Sequence, residues 1–141
     1  PPIIKNINVT NITAGSAAIS WETDENSTGV VFYGPGASSA QGNIEDQNLS
    51  ASHSVNLTGL APHAVYYYKV KVTDALGNEA ISSGERSFTT LNTLPVLARI
   101  GNQSVNEGTL LTFTASATDP DGDDLTYSTI GLPKGAANQV S

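Results

Sequence analysis

The chain has 141 residues, 38% of them hydrophobic and 13% charged, with 13 acidic against six basic side chains and a net charge of −7. That length fits one domain or two small ones, the acidic balance repels phosphate backbones and argues against nucleic acid, and no apolar run approaches the roughly 20 residues of a membrane span. Cysteine is absent, which excludes disulfides, thiolate metal sites and a cysteine nucleophile, so the core must rest on apolar burial. No methionine occurs either, and the chain is expected to start after a removed segment or to be cut from a longer protein. Ser, Thr and Asn contribute 15, 15 and 12 residues, a surface solvated by hydroxyls and amides that suits an extracellular or cell-surface setting.

Short runs rich in Val, Ile, Thr, Tyr and Phe alternate with clusters of Gly, Asn, Asp, Ser and Pro, and no segment holds a 3.6-residue period. An all-β, antiparallel chain is predicted. Strands are expected near 3–12, 16–22, 28–34, 52–58, 65–74 and 84–91, with turns at Asp24-Glu25-Asn26 and Leu76-Gly77-Asn78. The clearest is Val65 to Val72, where Tyr66, Tyr68, Val70 and Val72 share one face while Tyr67, Lys69 and Lys71 share the other. Leu60-Ala61-Pro62 ahead of Tyr66 places a tyrosine just past a proline-bearing corner, where its hydroxyl can bond backbone across the turn. Trp21 supplies the large ring that a small core needs.

Beyond Thr90, Leu91-Asn92-Thr93-Leu94-Pro95 does not pattern as a strand, and the domain reading is a first module over 1–91, a linker over 92–95 and a second module over 96–141. Further strands are expected near 96–100, 109–118 and 124–130.

These features carry a resemblance. Ala18-Ile19-Ser20-Trp21, Thr28 to Gly34, Leu60-Ala61-Pro62 with Tyr66, and Phe88-Thr89-Thr90 together resemble a fibronectin type III domain. The stretch Trp21 to Val31 is similar to domains of large microbial surface proteins and to those preceding metallophosphatase domains. The resemblance implies an immunoglobulin-like β-sandwich acting as a spacer or adhesive module, with any enzyme elsewhere in the chain. Residues 95–141, with the linker ahead of them, resemble the start of a cadherin-like or immunoglobulin-like module, through Asn92-Thr93-Leu94-Pro95, Asn102-Gln103, Asn106-Glu107-Gly108, Asp119 to Asp123 with Leu125-Thr126-Tyr127, and Gly131-Leu132-Pro133. Such a module takes on the order of 100 residues, whereas 47 remain from Pro95. The fragment is expected to stay partly disordered, to pack on the first module, or to be completed by a second copy as a homodimer.

Asp119, Asp121 and Asp123 are the best site candidates, because alternate carboxylates on a tight turn can converge on Ca²⁺, a hard cation taking six to eight oxygens. The loop is not an EF-hand, since Ile130 stands where a bidentate Glu is required. The resemblance implies that Glu107 and Asn92 complete the shell. Against this stands a plain solvated Asp-Gly turn capping two strands.

Other chemistry finds little support. Glu22, Asp24 and Glu25 lie on one loop and cannot flank a substrate from opposite sides. His53 and His63 lack metal-ligand spacing and are expected at the surface or at strand ends. No serine has a nucleophile-elbow context and no glycine run precedes a helix. Six Asn-x-Ser/Thr sequons, at Asn8, Asn11, Asn26, Asn48, Asn56 and Asn102, make the chain a candidate glycoprotein if its host glycosylates. The functional expectation is a non-catalytic structural or adhesive spacer contacting neighbouring domains or surface proteins. The alternatives are an accessory domain of a secreted metallophosphatase or carbohydrate-active enzyme, and a carbohydrate-binding module using Tyr33, Tyr67 or Tyr127.

Overall fold

A computed structural model of the chain describes residues 1–36, 41–131, 134 and 137. All its regular elements are strands, and the chain divides into two compact units, Pro1–Asn92 and Thr93–Ser141.

The first unit holds β1 (Ile4–Thr10), β2 (Ser16–Pro35), β3 (Gly42–Thr58), β4 (Val65–Asp74), β5 (Glu79–Ile81) and β6 (Arg86–Thr89), all paired antiparallel. Two long strands build both layers. The first half of β2 lies between β1 and the end of β3, from Ser16↔Thr58 to Glu22↔Ser52. Its second half lies between the start of β3 and β4, through pairs such as Val31↔Ile44 and Val31↔Val70. The register breaks between these halves: β2 extrudes residues 23–26 against a single residue of β3, and β3 then extrudes 47–49 against Thr28. Such bulges sharpen twist and bend both strands, which lets one pair of strands serve two layers. The expected turn at Asp24-Glu25-Asn26 is therefore an outward bulge within a continuous strand. β3 likewise starts ten residues earlier than the run 52–58 suggests.

Between the layers lie Ile19, Trp21, Val31, Leu57, Val70 and Val72, each essentially inaccessible, with Val55, Leu60, Tyr66, Tyr68 and Phe88 around them. The period of two accounts for this: Tyr66, Tyr68, Val70 and Val72 fall on one face of β4 and are buried, while Tyr67, Lys69 and Lys71 are half-buried on the other. Trp21 lies over Gly29, where an added Cβ would come within 2.2 Å of the indole Cζ2.

Tyr66 makes the expected corner, its hydroxyl accepting the Ala61 N–H at 2.9 Å. Thr90 ties the same corner from the far end, donating to the Ala61 carbonyl at 2.7 Å and accepting from Ala64 N–H at 2.9 Å. Tyr66→Phe deletes the acceptor and leaves a part-buried amide unpaired, so urea unfolding is expected to show a loss of about 1 to 2 kcal/mol with the fold retained.

Among its described residues the second unit has only β7 (Val96–Leu97) and β8 (Ala117–Thr118), an antiparallel pair with Ala98 N–H bonded to the Ser116 carbonyl at 2.8 Å. None of its described residues is buried, and Leu94, Leu110 and Ile130 are more than 80% exposed. The strands expected over 96–100 and 109–118 shrink to these two-residue pieces, and 124–130 is not a strand. A sheet of two residues per strand offers no face on which Leu110, Leu111 and Phe113 could bury themselves. Leu132 and Pro133 lie outside the described residues.

Candidate functional site

Among the described residues, two places gather chemistry-bearing side chains. One is the acidic turn of the second unit, where Asp119, Asp121 and Asp123 each offer a carboxylate oxygen within 4.8 Å of the others. The turn is built by Asp119, whose Oδ1 accepts the Asp121 N–H at 2.8 Å and the Asp123 N–H at 3.4 Å, with Gly122 at φ 79° supplying the left-handed residue the loop requires. Asp121 uses both carboxylate oxygens on Thr93, taking its N–H at 2.8 Å and its hydroxyl. Glu107 is exposed in the turn Asn106–Thr109 and stands outside the converging group. Asn92 is an exposed residue of the first unit. Three oxygen donors fit a hard cation such as Ca²⁺ as part of a shell.

The other place was not foreseen. His53, expected at the surface or at a strand end, has a fully buried side chain, because it shares the inward parity of Val55 and Leu57 on β3 and sits opposite Trp21. Its ring stacks on the indole, centroids 5.0 Å apart and planes 12° apart. Its Nδ1 meets Asp46 Oδ2 at 2.9 Å, and its Nε2 meets the Ser50 carbonyl at 2.9 Å and Ser27 Oγ at 3.4 Å. Serine, histidine and aspartate thus occur in the sequence of contacts that a hydrolytic triad uses. Ser27, however, is 0% exposed, and the nearest partner of Nε2 is a carbonyl, so no substrate can reach the hydroxyl and the base is already engaged. The cluster is structural.

The remaining candidates are dispersed. Asp24 reaches back to Ile3 N–H at 2.6 Å, Glu22 accepts from Asn6 at 2.7 Å, and Glu25 is exposed. His63 is exposed at φ 47°. Tyr33 and Tyr67 are half-buried on the strands of the first unit, and Tyr127 belongs to the second. The sequon asparagines are all exposed. A surface hollow of about 180 Å³ beside Tyr33, Gly42 and Tyr66 and another of about 280 Å³ beside Leu97, Leu125 and Tyr127 both fall below the roughly 300 Å³ where ligand pockets begin.

Three aspartates hold their protons more weakly than the ordinary 3.8. Asp24 is lowered chiefly by the Ile3 N–H. Burial works to raise Asp46, but hydrogen bonds from His53 and from the Asn48 backbone and side chain outweigh it. Asp74 is lowered first by the Asn78 side chain, then by the Asn78 and Leu76 amides, against an opposing push from burial. Since each folded value lies below the unfolded one, the stabilisation is present above the unfolded value and vanishes as pH falls through the folded values. Urea midpoints are expected to hold down to about pH 5 and to fall below about pH 4, with Asp74→Asn flattening part of that slope.

Two bent strands shared between layers, a tyrosine corner and a tryptophan-centred core define a fibronectin type III-like β-sandwich. Within that class, the model of the family described as purple acid phosphatase, N-terminal domain, matches residues 3–90, and the chain belongs to this family. A search of curated proteins found no match. Among solved structures, one described as a myokine structure is 21% identical, with 64% of this chain and 98% of that chain covered and a TM-score of 0.56, which agrees with the fold. A redesigned β-sandwich protein is 26% identical over 64% of this chain and 94% of its own, with a TM-score of 0.48. The sensor domain of the anti-sigma factor RsgI4 of Pseudobacteroides cellulosolvens is 26% identical over 64% of this chain and 95% of its own, with a TM-score of 0.44.

Proposed function

We propose that the chain is a non-catalytic accessory module of an extracellular protein, a rigid sandwich that holds a neighbouring metallophosphatase domain at a set distance and orientation. The observation that supports this reading is the match of residues 3–90 to the N-terminal domain of purple acid phosphatases. The chemistry of the first unit agrees with it. Its His–Asp–Ser contacts are sealed in the core, and its exposed acids are scattered. The partners are then protein surfaces of adjoining domains. Isolating the full-length polypeptide from its source and assaying phosphomonoester hydrolysis tests this: activity in the same polypeptide is expected, and a full-length polypeptide without phosphatase activity contradicts it, leaving a spacer of a surface protein or of a carbohydrate-active enzyme.

A second reading concerns the cadherin-like resemblance of the other unit and is favoured by the convergence of Asp119, Asp121 and Asp123. We propose that these three bind Ca²⁺ and stiffen the turn they share. Calorimetric titration of the 141-residue chain is expected to give a Ca²⁺ heat that Asp121→Asn removes. A flat titration, with unchanged melting in chelator, contradicts it.

A further inference from the structure

The buried ring of His53 faces an acceptor on each side. A carboxylate can only accept once ionised, and a backbone carbonyl can only accept at all, yet Asp46 Oδ2 lies 2.9 Å from Nδ1 and the Ser50 carbonyl 2.9 Å from Nε2. A neutral imidazole carries one N–H and would leave a lone pair aimed at one of these oxygens. A ring protonated on both nitrogens satisfies both. The stacked indole of Trp21 is a favourable face for a cation. Ser27 Oγ, at 3.4 Å, is the weaker neighbour of Nε2 and also reaches Thr23 Oγ1 at 3.3 Å.

We propose that His53 and Asp46 form a proton-dependent clasp in which the imidazolium ties the extruded segment of β3 to the core. Asp46 ends the half of β3 that pairs with the second layer, Ser50 closes the extrusion 47–49, and His53 is the second residue of the half that pairs with the first, after Ser52. One ring therefore staples both ends of the extrusion where the strand changes layer. Asp46 also accepts the Asn48 N–H at 3.1 Å and its side-chain N–H at 2.8 Å, so the carboxylate that holds the ring also shapes the extrusion. Loss of the second ring proton breaks one of the two ring contacts and frees the segment around Asn48 and the half-exposed Leu49. Two carboxylates on the packed strands lie near the ring and are held by other partners. On β2, Glu22 next to Trp21 is exposed and bonded to Asn6. On β4, Asp74 stands opposite Ser27 with both oxygens held by Leu76 and Asn78.

Nitrogen-15 NMR of the His53 ring in the folded 141-residue chain at neutral pH reads the proposal directly, with two protonated nitrogens of similar shift expected. One far-downfield, unprotonated nitrogen overturns it. Asp46→Asn keeps an acceptor at Nδ1 without the charge and is expected to fold; it should return the ring to a single proton and speed amide exchange at 48–50 at least tenfold, whereas unchanged ring shifts and exchange overturn the clasp. Trp21 is the sole tryptophan, so its fluorescence, quenched by a stacked imidazolium, is expected to brighten in Asp46→Asn. No change in emission counts against the proposal.

Discussion

Trp21→Ala is expected to cost the first unit about 3 to 5 kcal/mol, enough to leave much of the protein unfolded if its total stability lies at about 5 kcal/mol, the low end of the usual range of about 5 to 15 kcal/mol. The indole is 1% exposed, packs at the centre of the core, covers Gly29 and carries the stacked His53. Removing it opens a cavity between layers that share their backbone, so collapse at one side pulls on the other. Its Nε1 has no hydrogen-bond partner among the described residues, so the loss is one of packing and not of a hydrogen bond. Thermal unfolding followed by far-ultraviolet circular dichroism is the measurement, and a melting temperature within a few degrees of the parent would show that the core does not centre on this ring.

Gly29→Ala is expected to be the next most damaging change, although alanine ordinarily suits a strand better than glycine. Here the methyl would stand 2.2 Å from Trp21 Cζ2 and 3.0 Å from Cε2. Those are atoms of a rigid, buried ring with no room to swing. Either the indole shifts off His53 or β2 moves outward, and overpacking of this kind costs about 1 to 3 kcal/mol. Denaturant unfolding should show the loss together with altered Trp21 emission. An alanine variant as stable as the parent would mean that the strand relaxes freely at this point.

Much of the first unit was legible because alternation and burial agree. In β4, every second residue from Tyr66 to Val72 is apolar and inward, and the strand runs over the expected 65–74. The corner at Tyr66 followed from a proline and a tyrosine at fixed spacing. The start of β3 was not legible, since Asn43-Ile44-Glu45-Asp46-Gln47-Asn48-Leu49 is mostly polar, and a strand paired with a long neighbour needs few apolar residues of its own. The continuous β2 was hidden by turn-forming residues that the bulge accommodates. The short β5 is held by pairs such as Val72↔Ala80, which no local pattern announces.

The candidate sites divide the same way. Alternate spacing brought Asp119, Asp121 and Asp123 together on one turn, a local effect that sequence carries well. The burial of His53 was available in principle, because His53, Val55 and Leu57 alternate with Ser54 and Asn56. Its partnership with Asp46 was not, because the two stand seven positions apart and only the extrusion of 47–49 folds one back on the other.

We propose that the chain supports and positions a neighbouring domain and does not itself catalyse. Hydrolysis of p-nitrophenyl phosphate by the purified 141-residue chain, with iron, zinc or manganese added, tests it most directly. The rate is predicted to equal that of metal and buffer alone, and turnover above that level, lost when a single side chain is replaced, would contradict it.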